Sequence, residues 1–113
     1  MTNEYGRELD RNGYAPSIVP TEGECFICKK TGNIYPRLQR HEIFHGSLYR
    51  GRSKALGLWV NLCPECHYLL HNREPWMDKM LKHVGQRQAM ETYGWSIEDF
   101  RHHFGKNYLE AEQ

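Results

Sequence analysis

The stretch Cys63-Pro-Glu-Cys-His-Tyr-Leu-Leu-His71 carries two cysteines three positions apart and two histidines four apart. A second pair of the same spacing, Cys25 and Cys28, lies upstream. The two-residue gap lets both sulfurs of a pair turn toward one tetrahedral Zn²⁺ at about 2.3 Å. Two such pairs complete four-coordination, so Cys25, Cys28, Cys63 and Cys66 are expected to hold a structural zinc that folding requires. A disulfide or redox role is the competing reading, and a reducing compartment disfavours it.

On a helix, His67 and His71 share a face one turn past the zinc-fixed pivot, and both can present a ring nitrogen to one metal. They could instead cover the zinc site, or one could replace a cysteine. His83, His102 and His103, with no such setting, read as structural. A third ligand is expected from a facing strand, where "RHEIF" supplies His41 and Glu42. Imidazoles and an oxygen donor around open water positions suit a catalytic divalent ion, Mg²⁺, Mn²⁺ or Zn²⁺. Such an ion polarises a phosphoryl oxygen while a neighbouring base prepares water. Arg37, Arg40, Arg50, Arg52 and Lys54 cluster around this segment with Glu42 as the only acid between them. That local charge suits a nucleic-acid backbone; the plain alternative is a solvated charged loop.

"HEIFH", residues 41–45, also matches the His-Glu-x-x-His signature of helical zinc proteases. The longer form of that signature requires Gly and His where this chain has Leu48 and Gly51, and the next acid downstream, Glu65, lies inside a cysteine pair. Ile43 and Phe44 favour a strand, on which His41 and His45 are not expected to converge.

The elements that must position these groups follow from patterning. Residues 1–21 are polar with Gly13, Pro16 and Pro20 and no period, and are expected to form a flexible extension. Residues 22–109 form the domain and 110–113 a tail. "GNIYPRLQRHEIFHG" and "LWVNL" read as strands joined by a glycine-bounded basic connection, "GSLYRGRSKALG". A helix follows from Pro64, a second runs from Pro75 to a break at Gly94, and a third starts at Ser96 with Asp99 completing a capping box and ends at Gly105. In the second, Trp76, Met80, Leu81, Val84 and Ala89 recur at helical steps and read as core. The chain has 113 residues, 39% hydrophobic, with a net charge of +1, so it is a folded single domain whose overall charge says little about partners. No apolar run reaches membrane-span length and the first residues lack secretion-signal order; a cytoplasmic protein without a membrane partner is expected.

Taken together, the Cys-x-x-Cys pair, the His-rich strand, "GLWVNLCPECH" and the terminal "FGKNYL" resemble the HNH (His-Me finger) endonucleases, in particular small zinc-stapled members common in bacteriophage genomes. The resemblance spans roughly Cys25 to Leu109. It implies an α+β fold: a zinc-stapled ββα-metal core followed by two C-terminal helices. It further implies metal-dependent hydrolysis of DNA phosphodiesters, in the host cytoplasm if the protein is phage-encoded. The family's strand metal position falls on His41, its helix ligands on His67 and His71, and its general-base position on Glu42. His41 as base with Glu42 as ligand, or His45 as base, are the other assignments. The family's Asn is expected near Leu58, and Asn61 stands closer to His67 than that. A catalytically inactive, zinc-stabilised nucleic-acid-binding or recombination-accessory protein is the alternative; protein partners are not indicated.

Overall fold

Strand β1 (Gln39–Glu42) pairs antiparallel with β2 (Trp59–Leu62), in the register Gln39 to Leu62 and His41 to Val60. These come from a computed structural model that describes residues 1–19, 23–29 and 38–109. Helix α1 (Arg50–Ala55) lies between the strands, and α2 (Pro64–Asn72), α3 (Pro75–Tyr93) and α4 (Ile97–Phe104) follow. The fold is thus α+β, a two-stranded sheet with four helices among the described residues. Part of the first expected strand, with Arg37, and the tail 110–113 lie outside the described residues, as do residues 20–22.

Alternation along β2 sends Val60 and Leu62 fully inward, where they join Ile43, Phe44, Leu58, Leu81, Phe100 and Phe104 in one core. Helix α2 starts where expected, because the Cys63 sulfur accepts from the Cys66 N–H and Pro64 occupies the first turn. At α4 the predicted capping box is present, with Ser96 and Asp99 each accepting from the other's backbone N–H. Gly94 and Gly105 close α3 and α4 in the left-handed conformation. Along α3, Leu81 and Ala89 are buried as expected, but Trp76 projects into solvent and Met77, Gly85 and Gln86 complete the inner face.

Two expectations change. The basic connection is helical: α1 carries Arg50, Arg52 and Lys54, and its buried Ser53 accepts from the Phe44 N–H and donates to the Leu58 carbonyl. One polar side chain thereby ties α1 to the residues just after β1 and just before β2. The expected flexible extension is instead fastened along residues 1–19. Asn3 donates to the Ala55 carbonyl, Tyr5 accepts from the Trp95 indole and packs on Tyr93, and the Trp59 indole donates to Ala15. Ser17 donates to the Trp59 carbonyl, and Ala15 and Val19 are buried. The segment's few apolar groups find partners far along the chain, which local periodicity does not register.

Gly85 lets α3 approach the end of β1: a Cβ there would lie 3.0 Å from Ile43 and 3.3 Å from Phe44. Gly85→Leu is therefore expected to lower stability by about 1–3 kcal/mol through overpacking. In urea unfolding the midpoint should fall with the slope unchanged.

Candidate metal centre

The turn at Cys25 and the start of α2 bring four thiols together: the sulfurs of Cys25, Cys28, Cys63 and Cys66 all lie within 4.8 Å of one another. Cys28 and Cys63 are 3.8 Å apart. Sulfurs on one tetrahedral Zn²⁺ at 2.3 Å are separated by roughly 3.8 Å, whereas a disulfide requires about 2.05 Å. Burial raises the cost of a thiolate at Cys25, yet backbone N–H groups of Cys28, Cys63 and Ile27 outweigh it and bring the thiol down to about 7. At Cys66, burial and the neighbouring thiols push the other way, upward. Four sulfurs so close, three of them buried, cannot all ionise without a cation between them, and this cluster is placed to hold a metal ion such as structural zinc.

A second cluster forms where β1 faces α2. His41 enters from the strand, and His67 and His71 lie on successive turns of α2, as their spacing requires. Ring centroids are 5.2 Å apart for His41 and His67, 5.2 Å for His41 and His71, and 5.0 Å for His67 and His71. Imidazoles sharing a tetrahedral ion, with Zn–N bonds of 2.0–2.1 Å, have centroids roughly 5 Å apart. His41 is 2% exposed, and its Nε2 has no hydrogen-bond partner among the described residues. A buried polar atom left in this way costs free energy unless something outside the chain satisfies it. The His67 Nδ1 lies 2.7 Å from the Gln39 side-chain oxygen. A carbonyl oxygen only accepts, so Nδ1 carries the proton and Nε2 keeps its lone pair, the arrangement typical of a metal-binding histidine. Burial lowers the proton affinity of all three rings, with neighbouring histidines adding to it, and His41 falls to about 3. Neutral imidazoles are the form that binds metals. His71 is exposed, so the cluster opens to solvent on that side.

Glu42 does not join this trio. The pleat turns it to the other face, where its carboxylate accepts from the Tyr14 hydroxyl at 2.6 Å and meets Arg50 at 3.4 Å. Its charge still acts on His67. Arg40 is paired with Asp10 at 3.0 Å and lies over the rings of Tyr14 and Trp59. Arg52 donates to the His103 carbonyl and Lys54 sits over Tyr14. Arg50 reaches the His45 carbonyl, which places it beside the histidines.

The expectation that His41 and His45 would not converge is overturned. β1 ends at Glu42 and the chain bends through Ile43 and Phe44, bringing the two rings to 5.3 Å. His45 Nε2 lies 2.9 Å from Asp78 on α3. Asp78 and Gln39 escape sequence reasoning because each meets its histidine across a long stretch of chain, 33 residues for Asp78. The one local hint is an acid in the first turn of α3, where the helix dipole favours it. Among the described residues, no helix is long and apolar enough to cross a membrane. Comparison with protein-family models, curated proteins and solved structures finds no match.

Proposed function

We propose that this chain is a metal-dependent DNA endonuclease of the HNH type, built on a zinc-stapled ββα core. The observation that carries the reading is the buried Nε2 of His41, without a hydrogen-bond partner among the described residues, facing two helix histidines with metal-compatible spacing. His41, His67 and His71 would hold a divalent ion, which when bound polarises a phosphoryl oxygen and stabilises the leaving oxygen. Gln39 orients His67 for that task. Arg50, exposed beside the cluster, offers a cation to the phosphate. Glu42, next after His41 but turned to the opposite face of β1, would have to leave Tyr14 and Arg50 to accept the proton of the attacking water.

The test is nicking of supercoiled plasmid by zinc-loaded protein with Mg²⁺, Mn²⁺ or added Zn²⁺. His67→Ala is expected to reduce cleavage to background, and Glu42→Gln to slow it by about 10²–10⁴-fold. Retained nicking in His67→Ala sinks the nuclease reading; unchanged nicking in Glu42→Gln removes only that residue from the chemistry. One observation favours the alternative of a silent nucleic-acid-binding protein: Tyr14 and Arg50 already occupy the Glu42 carboxylate. Folded, zinc-replete protein that retards DNA in a salt-sensitive way without cutting it would support that alternative.

A further inference from the structure

The histidine cluster has a second flank that the proposed reaction leaves unused. His45 follows the bend after β1, and Asp78 faces it from the first turn of α3. Ligand atoms of His41, His45 and Asp78 lie within 4.8 Å of one another, as do those of His41, His67 and His71. His41 is the shared corner of both sets, and its buried Nε2 has no hydrogen-bond partner among the described residues. The Asp78 carboxylate is fixed on both sides, by His45 on Oδ1 and by Lys82 on Oδ2, each at 2.9 Å. An ion seated here would take the place of the His45–Asp78 hydrogen bond, with Lys82 still holding the other carboxylate oxygen.

The two sets differ in chemistry. Three imidazoles suit Zn²⁺ and its neighbours, whereas two imidazoles and a carboxylate accommodate harder ions such as Mn²⁺. A neutral imidazole ligates through a single nitrogen, so His41 serves one ion at a time. We propose that His41, His45 and Asp78 form a second seat for a divalent ion, preferred by Mn²⁺, which competes for His41 with the Zn²⁺-preferring seat of His67 and His71. The cluster then holds one ion, and the hardness of that ion selects the flank it occupies. The inference shares His41 with the site proposed above but does not depend on that site cutting DNA.

The experiment titrates full-length protein, its thiol cluster loaded with zinc, with Mn²⁺ followed by electron paramagnetic resonance, and separately with Zn²⁺ by calorimetry. Asp78→Asn and His45→Ala are expected to weaken Mn²⁺ binding about tenfold or more and leave the second Zn²⁺ within about twofold, tenfold being the lower range for groups that support a metal site. His67→Ala should show the reverse, and His41→Ala should lose both ions. Unchanged Mn²⁺ affinity in Asp78→Asn, with only a lower melting temperature, would reduce Asp78 to a structural ion-pair partner and overturn the proposal. Equal loss of Mn²⁺ in His67→Ala and Asp78→Asn would overturn it too, by showing a single seat. Plasmid nicking by the same variants reports separately on the nuclease reading, so either idea can fail alone.

Discussion

Stripping the metal from the four-thiol cluster is expected to unfold the chain. Structural Zn²⁺ sites contribute about 10–16 kcal/mol of apparent binding free energy at neutral pH, while a domain of this size is stable by about 5–15 kcal/mol in total. Cys25 and Cys63 are fully buried at the junction of the first turn, β2 and α2. Without an ion, four crowded sulfurs either stay protonated or repel one another, and the pivot that sets the direction of α2 is lost. Because α2 carries His67 and His71, the histidine cluster should disperse with it. The check is far-ultraviolet circular dichroism and bound-zinc content during titration with a strong chelator, with Cys63→Ser in parallel. Helical signal should disappear as zinc leaves and return when it is added back. A chelated protein with an unchanged cooperative melt would show that the core alone sustains the fold.

The second large effect concerns His41, where stability and ion binding are expected to move in opposite directions. Without added divalent ion, His41 carries a buried nitrogen with no partner among the described residues, a situation that costs about 1–3 kcal/mol. His41→Leu keeps approximate volume and removes that nitrogen, so the variant should be more stable at pH 7 by a similar amount while losing the second ion. The gain should grow in acid. Burial, reinforced by His45, His67 and His71, holds His41 neutral down to about 3, whereas the unfolded chain takes up the proton near 6.5. Between those values the unfolded state binds more protons, so wild-type stability falls as pH falls through that window, at up to about 1.4 kcal/mol per pH unit for one proton. His67 and His71 shift in the same direction, so the variant's acid sensitivity should lessen without vanishing. Urea unfolding at pH 7, 6 and 5 measures this. A His41→Leu variant that is less stable at pH 5 would mean that the imidazole fills its niche better than leucine can.

What sequence made legible was local chemistry. The paired cysteines, the i,i+4 histidines of α2, and Ser96 with Asp99 all act within a turn or two of their own backbone, so their spacing already contains their geometry. The strand Trp59–Leu62 and the break at Gly94 were readable for the same reason. Long-range pairings were not. Tyr14 reaches Glu42 across 28 residues and Asp78 reaches His45 across 33, and no local pattern distinguishes either acid from a solvated one. Helix α1 was missed because six residues with an internal glycine are a weak helix by propensity; Ser53, bonded to two other segments, supplies what propensity lacks. His45 was misplaced because Ile43 and Phe44 do have strand character, and a tertiary bend overrides it. The resemblance to the HNH endonucleases, resting on the knuckles and the His-rich strand, said nothing of the α3 flank of the cluster.

The arm that crosses β2 also bears on how this protein behaves in a crowd of its own copies. A two-stranded sheet has two bare margins, each able to recruit a strand from another molecule. On the β2 margin the outward carbonyls of Trp59 and Asn61 are already taken, the first by the Ser17 hydroxyl at 2.6 Å and the second by the Phe26 N–H at 2.8 Å. Neither segment forms a regular strand there, so the margin is sealed without offering a new ladder to the next chain. Residues 1–19 thus cover one of the two outward carbonyls of the β2 margin and Phe26 the other, and a chain trimmed of residues 1–19 would keep its ligands but bare the Trp59 carbonyl to a neighbouring strand.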